Sequence, residues 1–144
     1  MNLQLRNLKR LLFIGLIAVF SIRLHAEELP IKNIVLVHGA FADGSSWSEV
    51  ITRLQSLGYH VTAVQNPLTS LRDDVAATRS VLERQQGDVL LVGHSWGGAV
   101  ITEAGNAANV KGLVYLSALV PDSNESVADA LQRLKAPMVS APVI

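Results

Sequence analysis

The stretch VLLVGHSWGGAVITEAG, residues 89–105, decides the fold of this 144-residue chain. It begins as an apolar run, passes through a serine enclosed by glycines, and continues with small residues typical of a tightly packed helix. An uninterrupted apolar run closed by glycine is typical of a strand buried on both faces of a parallel sheet. The stretch therefore predicts a buried strand that turns sharply into a helix, with Ser95 in the turn.

Outward from this stretch, similar apolar runs predict three more strands. The four predicted strands cover residues 33–39, 59–64, 88–93 and 110–119. Segments of helical length separate them, and strands that alternate with helices in this way favour a parallel sheet covered on both sides. The sequence predicts an α/β fold with the chemistry beyond the carboxyl ends of the strands.

Two helices are predicted from apolar residues at helical spacing, and a third follows Ser95. The first runs from Trp47 to Leu57, with Ser45 or Ser46 as its N-cap and Gly58 as its end. The second places apolar residues on its inner face and charged residues, Asp73 and Asp74 among them, on its solvent side; the inner residues are Leu71, Val75, Thr78, Val81 and Leu82.

Composition and charge exclude several classes of protein. With 49% hydrophobic and 17% charged residues, the chain is typical of one globular domain at most. The absence of cysteine excludes disulfides and thiolate metal sites, and we expect neither a metal ion nor a cofactor. Residues 27–144 carry 8 basic and 12 acidic residues, a net charge of −4, so no basic patch indicates nucleic acid as a partner.

The first 26 residues have the layout of a secretory signal peptide. A basic segment precedes the twelve-residue apolar run LLFIGLIAVFSI, and the segment ends on the small residue Ala26. The run is short for a membrane span of about 20 residues, so no stable span is expected after cleavage. We expect cleavage after Ala26 and export to the periplasm or the medium; an uncleaved N-terminal membrane anchor is the alternative.

The turn fits the pattern Gly-x-Ser-x-Gly, formed by Gly93, Ser95 and Gly97. In a strand-to-helix turn of this sharpness the serine is strained, and a side chain two residues before or after it would collide with the turn. The strain lifts the hydroxyl clear of the sheet, which predicts that Ser95 is a nucleophile. The alternative is that glycine and serine simply form a loop. Neither a phosphate-binding nor a dinucleotide-binding glycine pattern is present.

A second unusual segment, HGAFADGSSW at residues 38–47, follows the first strand. A serine that transfers acyl groups needs two N–H donors aimed at the developing oxyanion. The amide of Trp96, directly after the serine, is well placed for one of them. The other is expected from the loop after the neighbouring strand, where Gly39 permits a close approach of the backbone.

Three motifs together resemble one known family. VLVHGAFADGSSW (35–47), GHSWGGAVITEAG (93–105) and LVYLSALVPDSNES (113–126) resemble the α/β-hydrolase superfamily, and within it the branch of plant methyl-ester esterases and hydroxynitrile lyases. The resemblance implies Ser95 as nucleophile, the amides of Ala40 and Trp96 as oxyanion donors, and Phe41 and Trp96 as residues lining the acyl pocket. It also implies the strand order 4-3-5-6, in the family's numbering, for the four predicted strands.

The general base is the part that this sequence does not supply. The family presents nucleophile, acid and histidine in that chain order, yet no histidine follows Ser95. His38 is expected to hold the loop after the first strand by a hydrogen bond. We assign none of the four histidines as the base; these are His25, His38, His60 and His94.

These observations predict that residues 27–144 are the N-terminal part of an α/β-hydrolase domain. The fourth strand would then leave residues 113–117 unpaired, and such an edge favours self-association. The leading hypothesis is a hydrolase of small-molecule carboxylic esters that acts through a Ser95 acyl-enzyme, with little or no turnover in the chain as written. Alternatives are a non-catalytic module that binds a ligand or partner, and lyase or cofactor-free peroxide chemistry on the same fold.

Overall fold

A computed structural model describes residues 31–122 and 125–135, which belong to the second of the two units into which the chain separates, residues 31–144. The predicted export segment, residues 1–26, lies outside the described residues. The four strands are β1 (Asn33–Val37), β2 (His60–Ala63), β3 (Val89–His94) and β4 (Val110–Leu116). They pair in parallel in the order β2-β1-β3-β4, which confirms the predicted 4-3-5-6 arrangement.

The three predicted helices are present, and a fourth helix, which was not predicted, follows β4. They are α1 (Ser48–Ser56), α2 (Leu71–Glu83), α3 (Gly97–Ala104) and α4 (Val127–Arg133). A 3-10 helix, Gly44–Trp47, precedes α1 and is capped by Asp43, whose carboxylate accepts a hydrogen bond from the Ser45 amide at 2.7 Å. The prediction of Ser45 or Ser46 as the cap is wrong, because the extra turn of 3-10 helix moves the start of the helical segment toward Asp43.

The sheet is covered by helices on both faces. Alternate side chains of β1 point to opposite faces and pack in two separate clusters. Ile34 and Leu36 pack with Trp47 and α1 on one face. Val35 and Val37 pack on the other face with apolar residues of α2 and α3. A strand that is buried on both faces explains why the sequence of β1 is an uninterrupted apolar run.

Two further features concern the surface. In the described part of the chain β4 forms one edge of the sheet, and its Leu113 and Leu116 are 38% and 43% exposed. No helix within residues 31–122 or 125–135 has the length and apolar character needed to cross a membrane.

Candidate active site

Ser95 occupies a strained turn between the end of β3 and the start of α3. Its φ is +54°, in the left-handed region that residues with a side chain adopt only under constraint. Hydrogen bonds from the amides of Gly98 and Leu119, each at 3.0 Å, hold the Ser95 carbonyl oxygen. The Ser95 amide donates to the carbonyl oxygen of Leu116 at 3.4 Å. The turn is therefore fixed by both α3 and the segment after β4.

Glycine is required on both sides of the serine by close approach of the backbone. A Cβ atom at Gly93 would lie 2.5 Å from the carbonyl oxygen of Gly97. A Cβ atom at Gly97 would lie 2.5 Å from the carbonyl oxygen of Val37 in the central strand. Both distances are far below normal van der Waals contact, which confirms the steric prediction made from the Gly-x-Ser-x-Gly pattern.

The loop after β1 lies directly against the serine. A Cβ atom at Gly39 would be 3.1 Å from the Cβ of Ser95, so a larger residue would displace one of the two backbones. Within the described residues, the backbone N–H groups of Ala40 and Trp96 donate no hydrogen bond. Phe41, next to Ala40, exposes 86% of its surface. In the described part of the chain, the Trp96 N–H directly follows Ser95, and the Ala40 N–H and the Phe41 ring follow Gly39 in the loop that approaches Ser95.

His38 is a structural residue of this loop. Its side chain is fully buried, and its Nε2 accepts a hydrogen bond from the Asn66 amide at 3.0 Å. The proton must therefore be on Nδ1, which donates to the carbonyl oxygen of Gly39 at 2.8 Å. This confirms the expected bracing role, and it excludes His38 as a base because both ring nitrogens are already engaged.

Neither of the other two described histidines forms a hydrogen bond with the serine hydroxyl. His94 is exposed and contacts the edge of the Trp47 ring, with the ring centroids 6.3 Å apart. His60 is exposed on β2, at the opposite edge of the sheet from β4. His25 lies outside the described residues.

The carboxylates that follow Ser95 serve other purposes in the described residues. Glu125 accepts two hydrogen bonds from the Arg133 guanidinium, at 2.8 and 2.9 Å, and these lower its pKa to about 2. Asp129 completes a capping box with Ser126 at the start of α4. Glu103 is exposed on α3. Among the described residues, no three histidine, aspartate or glutamate side chains cluster closely enough to hold a metal ion.

Asp74 is buried in α2, with none of its surface exposed. The prediction that places it on the solvent side of this helix is wrong. Its Oδ2 accepts a hydrogen bond from the indole Nε1 of Trp96 at 2.8 Å, and its Oδ1 accepts one from the Leu68 amide at 2.8 Å. The spacing to Thr78 and Leu82, four and eight residues later, was the signal that places Asp74 on the buried face.

The Trp96 side chain points into the core and not toward the open side of the turn. It is 7% exposed and packs in the cluster formed with α2 and α3. The hydrogen bond to Asp74 fixes the orientation of the indole. What Trp96 presents at the turn is therefore its backbone N–H.

A cavity of about 540 Å³ lies between α2 and α3. Its lining includes Leu71, Val75, Arg79 and Glu103, and it contains none of the predicted site residues. Arg79 donates a hydrogen bond across it to the carbonyl oxygen of Glu103 at 3.0 Å. The cavity is distinct from the turn at Ser95, because seven of its eight lining residues belong to α2 and the eighth is Glu103.

A parallel sheet with a left-handed serine between strand and helix defines an α/β protein with a strained Gly-x-Ser-x-Gly turn. The sequence profile of the alpha/beta hydrolase family matches residues 34–143, and the chain belongs to that family. The carbendazim hydrolyzing esterase of a Nocardioides species is 32% identical over 126 residues, which cover 78% of this chain and 52% of the esterase.

Two further comparisons confirm the branch to which the motifs pointed. The alpha-hydroxynitrile lyase of Arabidopsis thaliana is 28% identical over 70% of this chain and 45% of the lyase, and plant methylesterases also match. An extracellular alpha/beta-hydrolase from a Paenibacillus species superimposes with a TM-score of 0.62 at 27% identity, over 67% of this chain and 45% of that hydrolase. The chain spans about half the length of the curated relatives it matches.

Proposed function

We propose that this chain carries the nucleophile and the oxyanion-binding half of a serine hydrolase that acts on small-molecule carboxylic esters. In this proposal the Ser95 hydroxyl attacks the ester carbonyl carbon, and the N–H groups of Ala40 and Trp96 stabilise the oxyanion. The alcohol leaves with a proton, and water then releases the acid from the Ser95 ester.

The observation that carries this proposal is the strained conformation of Ser95, with φ +54°, between glycines that have no room for a side chain. Strain of this kind costs about 1–3 kcal/mol and persists where the surrounding structure enforces it, often at functional sites. The relatives support ester hydrolysis as the class of reaction, because one of them is a carbendazim hydrolyzing esterase. Phe41, exposed beside the oxyanion loop, is the residue we assign to the acyl side of the pocket.

The activity expected of the chain as written is low. No histidine follows Ser95 in the sequence, and both ring nitrogens of His38 are engaged. In a serine protease the loss of the histidine costs about a million-fold in turnover. We therefore expect slow formation of a Ser95 ester and little or no turnover.

Labelling with a fluorophosphonate probe tests the proposal. We expect weak labelling that increases when imidazole is added as an external base, because the hydroxyl is positioned but not activated. Ser95→Ala should abolish the labelling, and Ser46→Ala, which removes an exposed serine of the 3-10 helix, should not. Labelling that survives Ser95→Ala contradicts the proposal, and strong labelling without imidazole contradicts the missing base.

A second candidate function, as a non-catalytic binding module, is favoured by the open edge of β4. Leu113 and Leu116 are exposed there, and Lys111 is the only charged residue between Val110 and Leu116. We propose a second copy of the chain as the occupant. Antiparallel pairing centred on Leu113 places each Lys111 opposite Tyr115, so like charges do not meet.

Export completes the proposal. The basic, apolar and small-residue segments of residues 1–26 are those of a signal peptide. The extracellular Paenibacillus hydrolase supports this assignment as a relative by structure. The proposed location is the periplasm or the medium, with an N-terminal membrane anchor as the alternative.

A further inference from the structure

The backbone N–H groups of Ala40 and Trp96, which we assign to the oxyanion, are connected through one loop. This loop, residues 65–70, follows β2. At one end, the Asn66 amide donates to Nε2 of His38 at 3.0 Å, and the Asn66 side chain donates to the His38 carbonyl oxygen at 3.3 Å. His38 in turn holds the carbonyl oxygen of Gly39, adjacent to Ala40. This end of the loop therefore fixes the segment that carries the Ala40 N–H.

At its other end the loop is connected to the turn at Ser95. The Leu68 amide donates to Oδ1 of Asp74 at 2.8 Å, and the indole of Trp96 donates to Oδ2 of the same carboxylate at 2.8 Å. Leu68 has a φ of +57°, a left-handed conformation that a leucine adopts only where its surroundings enforce it. The two attachment points, Asn66 and Leu68, are only two residues apart.

We infer that Asp74 is a positioning residue, which together with the 65–70 loop sets the relative position of the Ala40 and Trp96 N–H groups. This inference rests on the proposed function, in which those two groups bind the oxyanion. Each oxygen of the Asp74 side chain accepts one hydrogen bond, Oδ2 from the Trp96 indole and Oδ1 from the Leu68 amide. An asparagine at position 74 would accept a hydrogen bond from one of these N–H groups through its oxygen. Its NH₂ group would then face the other N–H, and two donors cannot bond to each other.

The test uses the full chain and two variants with the same change in charge. Asp74→Asn alters the buried carboxylate, whereas Glu83→Gln alters an exposed carboxylate at the end of the same helix. Proton–nitrogen NMR then follows the backbone N–H groups of Ala40 and Trp96 and the Trp96 indole. We expect Asp74→Asn to shift all three resonances and to speed the exchange of the hydrogen-bonded indole N–H with solvent about tenfold or more. Glu83→Gln should leave them unchanged.

The resonance of Ala40 decides between positioning and a local packing role. If Asp74→Asn shifts only the Trp96 signals and leaves Ala40 as in the unmodified chain, the inference is overturned. Should Asp74→Asn fail to fold, Trp96→Phe serves as the second variant, because it removes the indole donor and keeps the carboxylate. The same shift at Ala40 is then expected, and its absence overturns the inference.

Phenylboronic acid separates this inference from the proposed function. Its boron atom bonds to the serine oxygen as the hydroxyl proton passes to solvent, which gives a negatively charged tetrahedral adduct with a boron-bound hydroxyl where the oxyanion forms. We expect the dissociation constant to rise about 10- to 100-fold in Asp74→Asn, since misplacing a binding group by about 1 Å costs on that scale. No binding to the unmodified chain would contradict the proposed function alone, because the NMR shifts still decide the role of Asp74. Equal binding to both proteins would overturn the inference.

Discussion

At the scale of the residue, the site depends on positions where the backbone has no room to move. Gly97 lies against the carbonyl oxygen of Val37, in a strand that is buried on both faces. Val37 is paired with Gly93 in the sheet, so its backbone cannot move away from Gly97 without disturbing that pairing. Ser95 keeps its left-handed conformation because Gly98, Leu116 and Leu119 hold it by hydrogen bonds.

We predict that Gly97→Ala destabilises the protein by about 1–3 kcal/mol, the usual cost of forcing a methyl group into a packed site. The added methyl group would start 2.5 Å from a main-chain oxygen. Urea unfolding followed by circular dichroism measures the loss. Gly44→Ala is the matched control, because the one tight contact of its methyl group would be with the movable side-chain oxygen of Gln65, at 3.2 Å, and the nearest main-chain oxygen is at an ordinary 3.5 Å. Equal midpoints for Gly97→Ala and the unmodified chain contradict the prediction.

At the scale of the element, β4 differs from the two central strands. β1 and β3 each have neighbours on both sides, whereas β4 pairs only with β3 in the described residues. Its backbone groups on the far side are therefore available to another strand. Edge strands of this kind are ordinarily protected by charge or by short length, and β4 has seven residues with a single lysine.

We predict that the chain forms a dimer through β4 and that Leu116→Lys shifts it to a monomer. In the pairing centred on Leu113, the new lysine would lie opposite Val110 of the second copy, so dimer formation would desolvate its charge against an apolar residue. Light scattering after size-exclusion chromatography gives the mass of each protein. Leu57→Lys is the control, since Leu57 is 69% exposed in the segment after α1. A monomeric unmodified chain, or a dimer that survives Leu116→Lys, contradicts the prediction.

At the scale of the whole molecule, the proposed site and the proposed export segment are separate parts of the sequence. The matched family profile begins at residue 34, after the basic and apolar segments. A domain whose sheet and helices begin after the export segment can lose that segment without losing a strand or helix of the described fold. Export and folding can therefore be tested independently.

We predict that the mature protein, expressed in a bacterial host, begins at Glu27. Signal peptidase requires a small residue before the cut, and Ala26 supplies it. A mass spectrum of the intact protein and of its N-terminal peptide gives the answer. Ala26→Tyr should block processing, whereas Leu29→Ala, just beyond the cut, should not. A chain that begins at Met1 contradicts cleavage and leaves the N-terminal anchor as the explanation.

Much of this protein was determined by local sequence. The apolar runs predicted four strands, because strands buried on both faces leave an uninterrupted apolar pattern. The order of the strands came from the family resemblance. The glycines at positions 93 and 97 indicated the sharp turn, because only hydrogen fits beside a main-chain oxygen. The apolar runs and the Gly-x-Ser-x-Gly spacing are local patterns, so they are visible in the chain alone, although the oxygen beside Gly97 belongs to Val37 in another strand.

Only the tertiary structure decided what the buried polar groups do. Asp73 and Asp74 are adjacent residues of the same type. Asp73 is exposed, whereas Asp74 is buried and accepts a hydrogen bond from the indole of Trp96, which directly precedes α3. The same holds for Asn66 and His38, which are 28 residues apart. A hydrogen bond between distant segments has no local pattern, because its partners meet only when the sheet has brought their loops to one edge.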